Sequence, residues 1–460
     1  MTPSKKLSDR RVFLSFLAAS PVLAYAGFSS RWVEEVLAAP LPQQNEVVIK
    51  SVKEALNVFD FDAAAKVKLT PAHYEFITDG SFNNETLRAN REGFSKYEIR
   101  LRRLTGITKV DQSIKLFGKE WESPIFFCPV GRMNAYYPDG AVVVAQAAKA
   151  TRTLQILAGS AVIVQDPRGI ESVVAARGEP VWYAGLGSSL DEKGLRRIES
   201  AGCPVLVWTI DDGGANTIGA KSIQKVGVRD LDREADDRCV GCHSNLPQVT
   251  RIRANTPMDV LGAVGALQGE TSVKLNWDDV KRVRNLTKMK LVLKGIVAGE
   301  DAALAVKNGV DGIIISNHGG HEDASGRGTI ECLPEVLQGA GGKIPVLIDS
   351  GFRGGADVFK ALALGATAVG IGRPHIWGLS SFGQEGVETV VAILRRELQA
   401  IMAQTGAASI AQIRRDSLVP RGSGVVAPDF QAGSGAVLAI ENARLKDGRY
   451  KFGGNFSVWE

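Results

Sequence analysis

The chain has 460 residues, 45% of them hydrophobic and 23% charged, which is enough to bury a sizeable core and unlike a disordered tail or a collagen-like repeat. Five Cys in that length exclude a small disulfide scaffold, and 50 Gly beside 7% aromatics favour α/β layers with tight turns over a β-sandwich. Of the formal charge of +5, Lys5, Lys6, Arg10 and Arg11 against Asp9 carry +3, so the body is nearly balanced and offers no basic stripe for nucleic acid.

Residues 1–26 read as an address. Arg10-Arg11 precede an apolar, small-residue run from Phe13 to Ala26 that ends in Ala24-Tyr25-Ala26, which resembles a twin-arginine export signal. A run of about 14 residues is short for a bilayer span of about 20, so the expectation is a periplasmic or otherwise exported protein with no permanent membrane span. Twin-arginine export carries folded proteins, which suits a cofactor loaded beforehand. Residues 27–44, with Pro40 and Pro42, read as a linker.

Residues 45–120 are predicted as a helical N-terminal extension. Eight apolar runs follow: Ile125–Pro129, Leu154–Ala158, Val181–Leu186, Val205–Ile210, Leu291–Ile296, Gly312–Ser316, Val346–Ile348 and Ala368–Ile371. Alternating with amphipathic stretches over roughly 250 residues, they predict an α/β fold, a (β/α)8 TIM barrel across residues 121–415, with a doubly wound sheet as the other topology. A long polar loop at 218–277 interrupts the rhythm after the fourth strand, and residues 416–460 read as a Gly-rich tail. Cys128, Cys203 and Cys332 lie in apolar surroundings and read as packing thiols.

A parallel barrel places its site at the C-terminal strand ends. The fifth run ends in Lys294-Gly295, the sixth in Ser316-Asn317-His318-Gly319-Gly320, the seventh in Asp349-Ser350-Gly351 and the eighth in Gly372-Arg373-Pro374. Gly351, Gly354, Gly355 and Gly372 with Arg353 and Arg373 make a phosphate cradle, because bare backbone N–H groups approach an anion and guanidinium forks add charge-assisted bonds. Asp349 suits a polyol hydroxyl or a structural ion pair. His318, flanked by Asn and two Gly, reads as a titrating imidazole that Asp211 orients and that shares the site with Lys294.

The segments Leu293–Ile296, Gly312–Gly320, Ile348–Ala366 and Ile371–Pro374 closely resemble the FMN-dependent 2-hydroxy acid dehydrogenases and oxidases, the family of glycolate oxidase, lactate dehydrogenases and mandelate dehydrogenase. The resemblance implies FMN as cofactor and two-electron acceptor, a small-molecule substrate and a homo-oligomer, a tetramer in related enzymes. His318 is similar to the family's base, Asp211 to its carboxylate partner and Lys294 to the cation beside the flavin pyrimidine. Pro129, Val130, Gly131, Thr209 and Ser316 resemble flavin contacts. Asp349, Ser350, Gly351, Phe352, Arg353, Gly372 and Arg373 would hold the ribityl phosphate.

The chain departs from that pattern where the family grips the substrate. His321 stands in place of the carboxylate-binding arginine three residues after the base, and the second such arginine falls near Ile218. By ungapped reading from Gly80, the substrate-contacting tyrosine becomes Phe76. The polar residues of the second and third strands become Ala158, Ala184 and Leu186. Arg132 and Arg327 are the candidates for a relocated cation, or else solvated surface residues. These losses keep open a flavin-binding electron-transfer or sensing protein without turnover, and the Lys294 position alone would also permit a phosphate-binding barrel without flavin, such as an aldolase or isomerase.

Cys239-Val240-Gly241-Cys242-His243 in the long loop has the spacing that attaches c-type haem, with His243 as axial ligand and Met258 as a candidate second ligand. A haem there, or a cytochrome partner, would make the protein a dehydrogenase rather than an oxidase. A Cys239–Cys242 disulfide and a metal site with His243 stay open as alternatives.

Overall fold

The N-terminal extension is not helical throughout. It holds α1 (Phe59–Lys68), α2 (Pro71–Thr78) and α3 (Glu85–Glu92), then strand β1 (Tyr97–Ile99) and a hairpin of β2 (Ile114–Leu116) and β3 (Lys119–Trp121). Thr70 starts α2 by accepting the N–H of His73 at 3.3 Å, with Pro71 at the first helical position, where its missing N–H costs nothing. The hairpin turn has Phe117 and Gly118 both at positive φ (46° and 82°), the backbone of a tight two-residue turn. Strands of three residues are too short to show a period of two in sequence, which is why the helical expectation missed them.

The computed structural model describes residues 48–159, 169–186, 192–211 and 275–421, together with short backbone strands at 450–451 and 457–458. The signal, the linker, Ile218, Cys239, Cys242, His243, Met258 and most of the tail lie outside the described residues.

From β4 (Ile125–Phe127) the chain alternates strand and helix: α4 (Gly140–Ala150), β5 (Leu154–Ala158), α5 (Ile170–Arg177), β6 (Trp182–Leu186), α6 (Glu192–Ser200) and β7 (Val205–Thr209). It resumes with α7 (Trp277–Leu286), β8 (Lys290–Ile296), α8 (Gly299–Lys307), β9 (Gly312–Ile315), α9 (Thr329–Ala340), β10 (Val346–Ile348), α10 (Gly355–Leu364), β11 (Ala368–Ile371) and α11 (Arg373–Thr405). Strands β4 to β11 pair in parallel in chain order, and β11 closes on β4. The predicted barrel is therefore the fold, and the doubly wound alternative is excluded.

Alternation along each strand builds two layers of core. On β7, Val205 and Val207 join Phe126, Ile156, Val292 and Ile314 inside the barrel, while Leu206 and Trp208 pack outward among the helices. Leu116 and Trp121 belong to the inner cluster, and the Phe117 ring lies 5.4 Å from that of Trp182 at the start of β6. The hairpin thus plugs the N-terminal end of the barrel and leaves the C-terminal end for chemistry.

The tail also begins in register with the fold: β12 (Leu418–Pro420) pairs antiparallel with β1. Among the described residues no helix is long and apolar enough to cross a membrane, and no cluster of His, Cys, Asp and Glu could hold a metal ion.

Candidate active site

A bulge in β8 makes the centre of the site. The β8–β9 register shifts between Lys294 and Ile296, and Gly295 between them has φ +115°. A Cβ on Gly295 would fall 2.5 Å from the Asp211 Cβ, so only glycine leaves room for Asp211 at the end of β7.

Asp211 then bridges two groups. Its Oδ1 lies 2.8 Å from His318 Nδ1, and its Oδ2 accepts from Lys294 Nζ at 3.4 Å. Burial alone would raise the Asp211 pKa, but the charges of Lys294 and His318 outweigh it and hold the carboxyl down at about 2. Burial likewise opposes the charge on Lys294, and Asp211 and Asp349 overcome it, so the lysine pKa is raised. A permanent carboxylate at Nδ1 keeps that nitrogen protonated and leaves Nε2 as the basic atom of His318.

His318 sits on a strained loop. His318, Gly319 and Gly320 all have positive φ (55°, 70° and 81°), and a left-handed non-glycine residue costs roughly 1–2 kcal/mol. Three contacts restrain this backbone: the His318 N–H donates to Ser316 Oγ (3.1 Å), the Gly319 N–H to Ser350 Oγ (3.0 Å) and the Gly320 N–H to Asn317 Oδ1 (3.1 Å). Asn317 exchanges amide hydrogen bonds with Asn90 of α3, 2.8 Å in each direction, and both are buried. Asn90 was not legible as a site residue, because α3 (ETLRANRE) reads as a polar surface helix.

Thr209, buried at the end of β7, is in register with Lys294, and Ser316 is buried after β9. Pro129, Val130 and Gly131 lead out of β4 half-buried at the same end. Asp349 accepts from Ser350 Oγ at 2.8 Å and lies 3.6 Å from Cys128 Sγ.

The cradle residues gather beyond β10 and β11. Gly351 (φ +87°) runs so close to α3 that a Cβ would lie 2.1 Å from the Asn90 carbonyl oxygen. Gly372 caps α11 without any side-chain bond to the helix end, and a Cβ there would meet nothing within 4 Å. Arg353 lies over the Trp377 ring (4.8 Å) and donates to the Phe352 carbonyl at 2.8 Å. Burial lowers the Arg353 pKa to about 9, with the charges of Arg373 and Arg91 adding to it, and burial lowers Arg373 to about 10. The uncapped start of α11, with the buried Arg353 guanidinium over its Trp377, suits an anion.

The sequence model of the FMN-dependent dehydrogenases matches residues 65–420. The chain belongs to that family. Glycolate oxidase 1 of Oryza sativa subsp. indica is 34% identical over 374 residues, covering 79% of this chain and 95% of that protein. L-lactate oxidase of Lysinibacillus sphaericus is 34% identical over 367 residues, covering 78% and 92%. Among solved structures, a soluble mutant of the membrane-associated (S)-mandelate dehydrogenase from Pseudomonas putida superposes with a TM-score of 0.67 at 26% identity, covering 80% of this chain and all of that one.

As an FMN-dependent dehydrogenase, the protein has a fitting place for the cofactor's phosphate in the open space at Gly372 beside Arg353. Arg373 points elsewhere. Its guanidinium donates to the carbonyls of Ile77, Asp79 (3.0 Å) and Gly319 (2.9 Å), and to His321 Nε2 at 2.8 Å. It ties the end of α2 and the His318 loop to the start of α11.

On the substrate side, the Phe76 ring of α2 stands 6.5 Å from the His321 ring, and the Arg132 guanidinium lies over Phe76 at 5.4 Å. Ala158, at the end of β5, and Ala184, its register partner in the middle of β6, are both buried. Arg327 is ion-paired with Glu335 at the surface, as a solvated residue would be. Among the remaining histidines, His375 is fully buried against Phe127 and takes no part in the site.

Proposed function

We propose that this FMN-dependent dehydrogenase oxidises a 2-hydroxy acid to the 2-oxo acid, with His318 as the base. The observation that carries the reading is the His318–Asp211 contact at 2.8 Å, in a site whose carboxylate is held ionised. FMN, when bound, supplies the two-electron acceptor. His318 takes a substrate proton at Nε2, and Asp211 at Nδ1 stabilises the imidazolium that results. Lys294, 3.4 Å from Asp211, would supply a positive charge beside the flavin, where it favours the negative charge that reduction adds. The 2-hydroxy acid class is supported by the names of the relatives, which are glycolate and lactate oxidases.

The experiment is to incubate the flavin-loaded protein with a panel of 2-hydroxy acids and the matching neutral 1,2-diols under an artificial electron acceptor. Formation of 2-oxo acid supports the reading. Bound flavin with no product from any hydroxy acid supports instead a flavin protein that has lost turnover.

Export through the twin-arginine pathway and electron hand-off to a c-type haem at Cys239, Cys242 and His243, or to a cytochrome, complete the proposal. They are supported by Arg10-Arg11 before the Phe13–Ala26 run and by the CxxCH spacing. A pyridine haemochrome assay on protein recovered from the exported fraction tests both; colour from flavin alone would remove the haem.

A further inference from the structure

The cations around the base are committed to other groups. Lys294 is bound to Asp211, Arg327 to Glu335, and Arg353 donates to the Phe352 carbonyl and stands at the cradle beyond β10. Arg373 is spent on three carbonyls and on His321. His321, whose Nε2 accepts from Arg373, is a neutral imidazole in that bond and brings no charge to the wall it shares with Phe76.

Arg132 is different. It is exposed on the loop after β4, at the C-terminal end of the barrel, and its φ of +52° turns the chain there. Its guanidinium rests on the Phe76 ring and makes no hydrogen bond or ion pair among the described residues. An aromatic face restricts the plane of the fork without using any of its N–H donors, so a flat anion can still take two of them.

We propose that Arg132 is the specificity-determining residue that anchors the substrate carboxylate, reaching over Phe76 from the first barrel loop because the base loop offers only neutral His321. This rests on the reading that the substrate is a 2-hydroxy acid. The arrangement moves the charged grip from the sixth loop to the first and leaves Phe76 as the apolar ring between that grip and His321. The carboxylate is thereby bound by a group that shares no hydrogen bond with His318, so affinity and proton transfer separate on mutation.

The test is calorimetric titration of the flavin-loaded protein with 2-oxo-2-phenylacetate, glyoxylate and the neutral 2-oxo-2-phenylacetamide, in the parent, Arg132→Gln and Arg132→Lys. A charge-assisted pair lost from a site of this kind weakens binding by about 10- to 100-fold. The expected result is that weakening for both acids in Arg132→Gln, partial recovery in Arg132→Lys, no change for the amide, and unchanged flavin content and melting. Equal binding of the acids by Arg132→Gln and the parent overturns the proposal, as does failure of the parent to bind either acid or to prefer acid over amide. Acid binding that depends on Arg132 without oxidation of any hydroxy acid would instead sink the catalytic reading and leave the anchor standing.

Discussion

Asn90 and Asn317 hold each other by both ends of their amides, 2.8 Å each way, and so tie helix α3 of the N-terminal extension to the loop that carries His318. The pair is buried, and Asn90 Oδ1 also accepts the Thr329 N–H at 3.2 Å, so truncation leaves several polar groups unpaired at once. Replacing Asn90 with Ala is expected to cost about 1–3 kcal/mol of stability and to slow flavin reduction while the flavin stays bound. Urea unfolding together with anaerobic reduction kinetics checks both parts; lost stability with an unchanged reduction rate would show that the pair only holds the fold.

Gly295 is where the smallest change should do the most. A methyl group there meets Asp211 at 2.5 Å in a backbone conformation that already disfavours side chains, so Gly295→Ala must displace the carboxylate from His318. Displacement of a catalytic group by about 1 Å can cost on the order of 100-fold in rate. The expected outcome is a folded, yellow protein reduced about 100-fold more slowly, and near-normal kinetics would contradict the bridging role of Asp211.

Arg353 and Gly372 are expected to govern cofactor retention. Arg353→Gln removes a buried guanidinium beside the open helix start, and the loss of one charge-assisted contact to a phosphate weakens binding by about 10- to 100-fold. Flavin fluorescence released on dilution measures it. Retention equal to the parent would place the phosphate elsewhere.

Acid should destabilise the protein in two windows. Burial holds His375 at about 4, below the unfolded value of 6.5, so the unfolded chain binds a proton that the folded one refuses, and stability falls as pH drops from 6.5 toward 4. His321, also held low by burial and by Arg373, acts in the same direction. Asp211 contributes its stability above pH 3.8 and loses it as pH falls toward 2, where the folded carboxyl takes up its proton. His375→Leu should flatten the fall of the urea midpoint between pH 6.5 and 4.5; an unchanged slope would assign that window to other groups.

The barrel and its strand-end residues could be read in sequence for a physical reason. Stretches such as Leu291–Leu293 and Gly312–Ile315 are continuous apolar runs because both faces of a barrel strand are buried, and the polar residues at the end of each run mark the open end. Asp211 was legible because it directly follows such a run, Lys294 because a charge interrupts one near its end, and His318 because only Ser316 and Asn317 separate it from one. Asn90 and the plugging hairpin were not, since a buried amide in a polar helix and three-residue strands carry no periodic signal. The use of Arg373 was also hidden. Its place after Gly372 suits a phosphate, and only the folded chain shows it turned to Ile77, Asp79, Gly319 and His321.

The central claim is that His318, oriented by Asp211, is the base that allows a hydroxy acid to reduce bound FMN. Anaerobic rapid mixing of flavin-loaded parent and His318→Ala protein with the best substrate of the panel measures it directly, as loss of the oxidised flavin's visible absorbance. The parent is expected to bleach, while the variant keeps its flavin and stays yellow. Bleaching of the variant at the parent's rate would rule out His318 as the base.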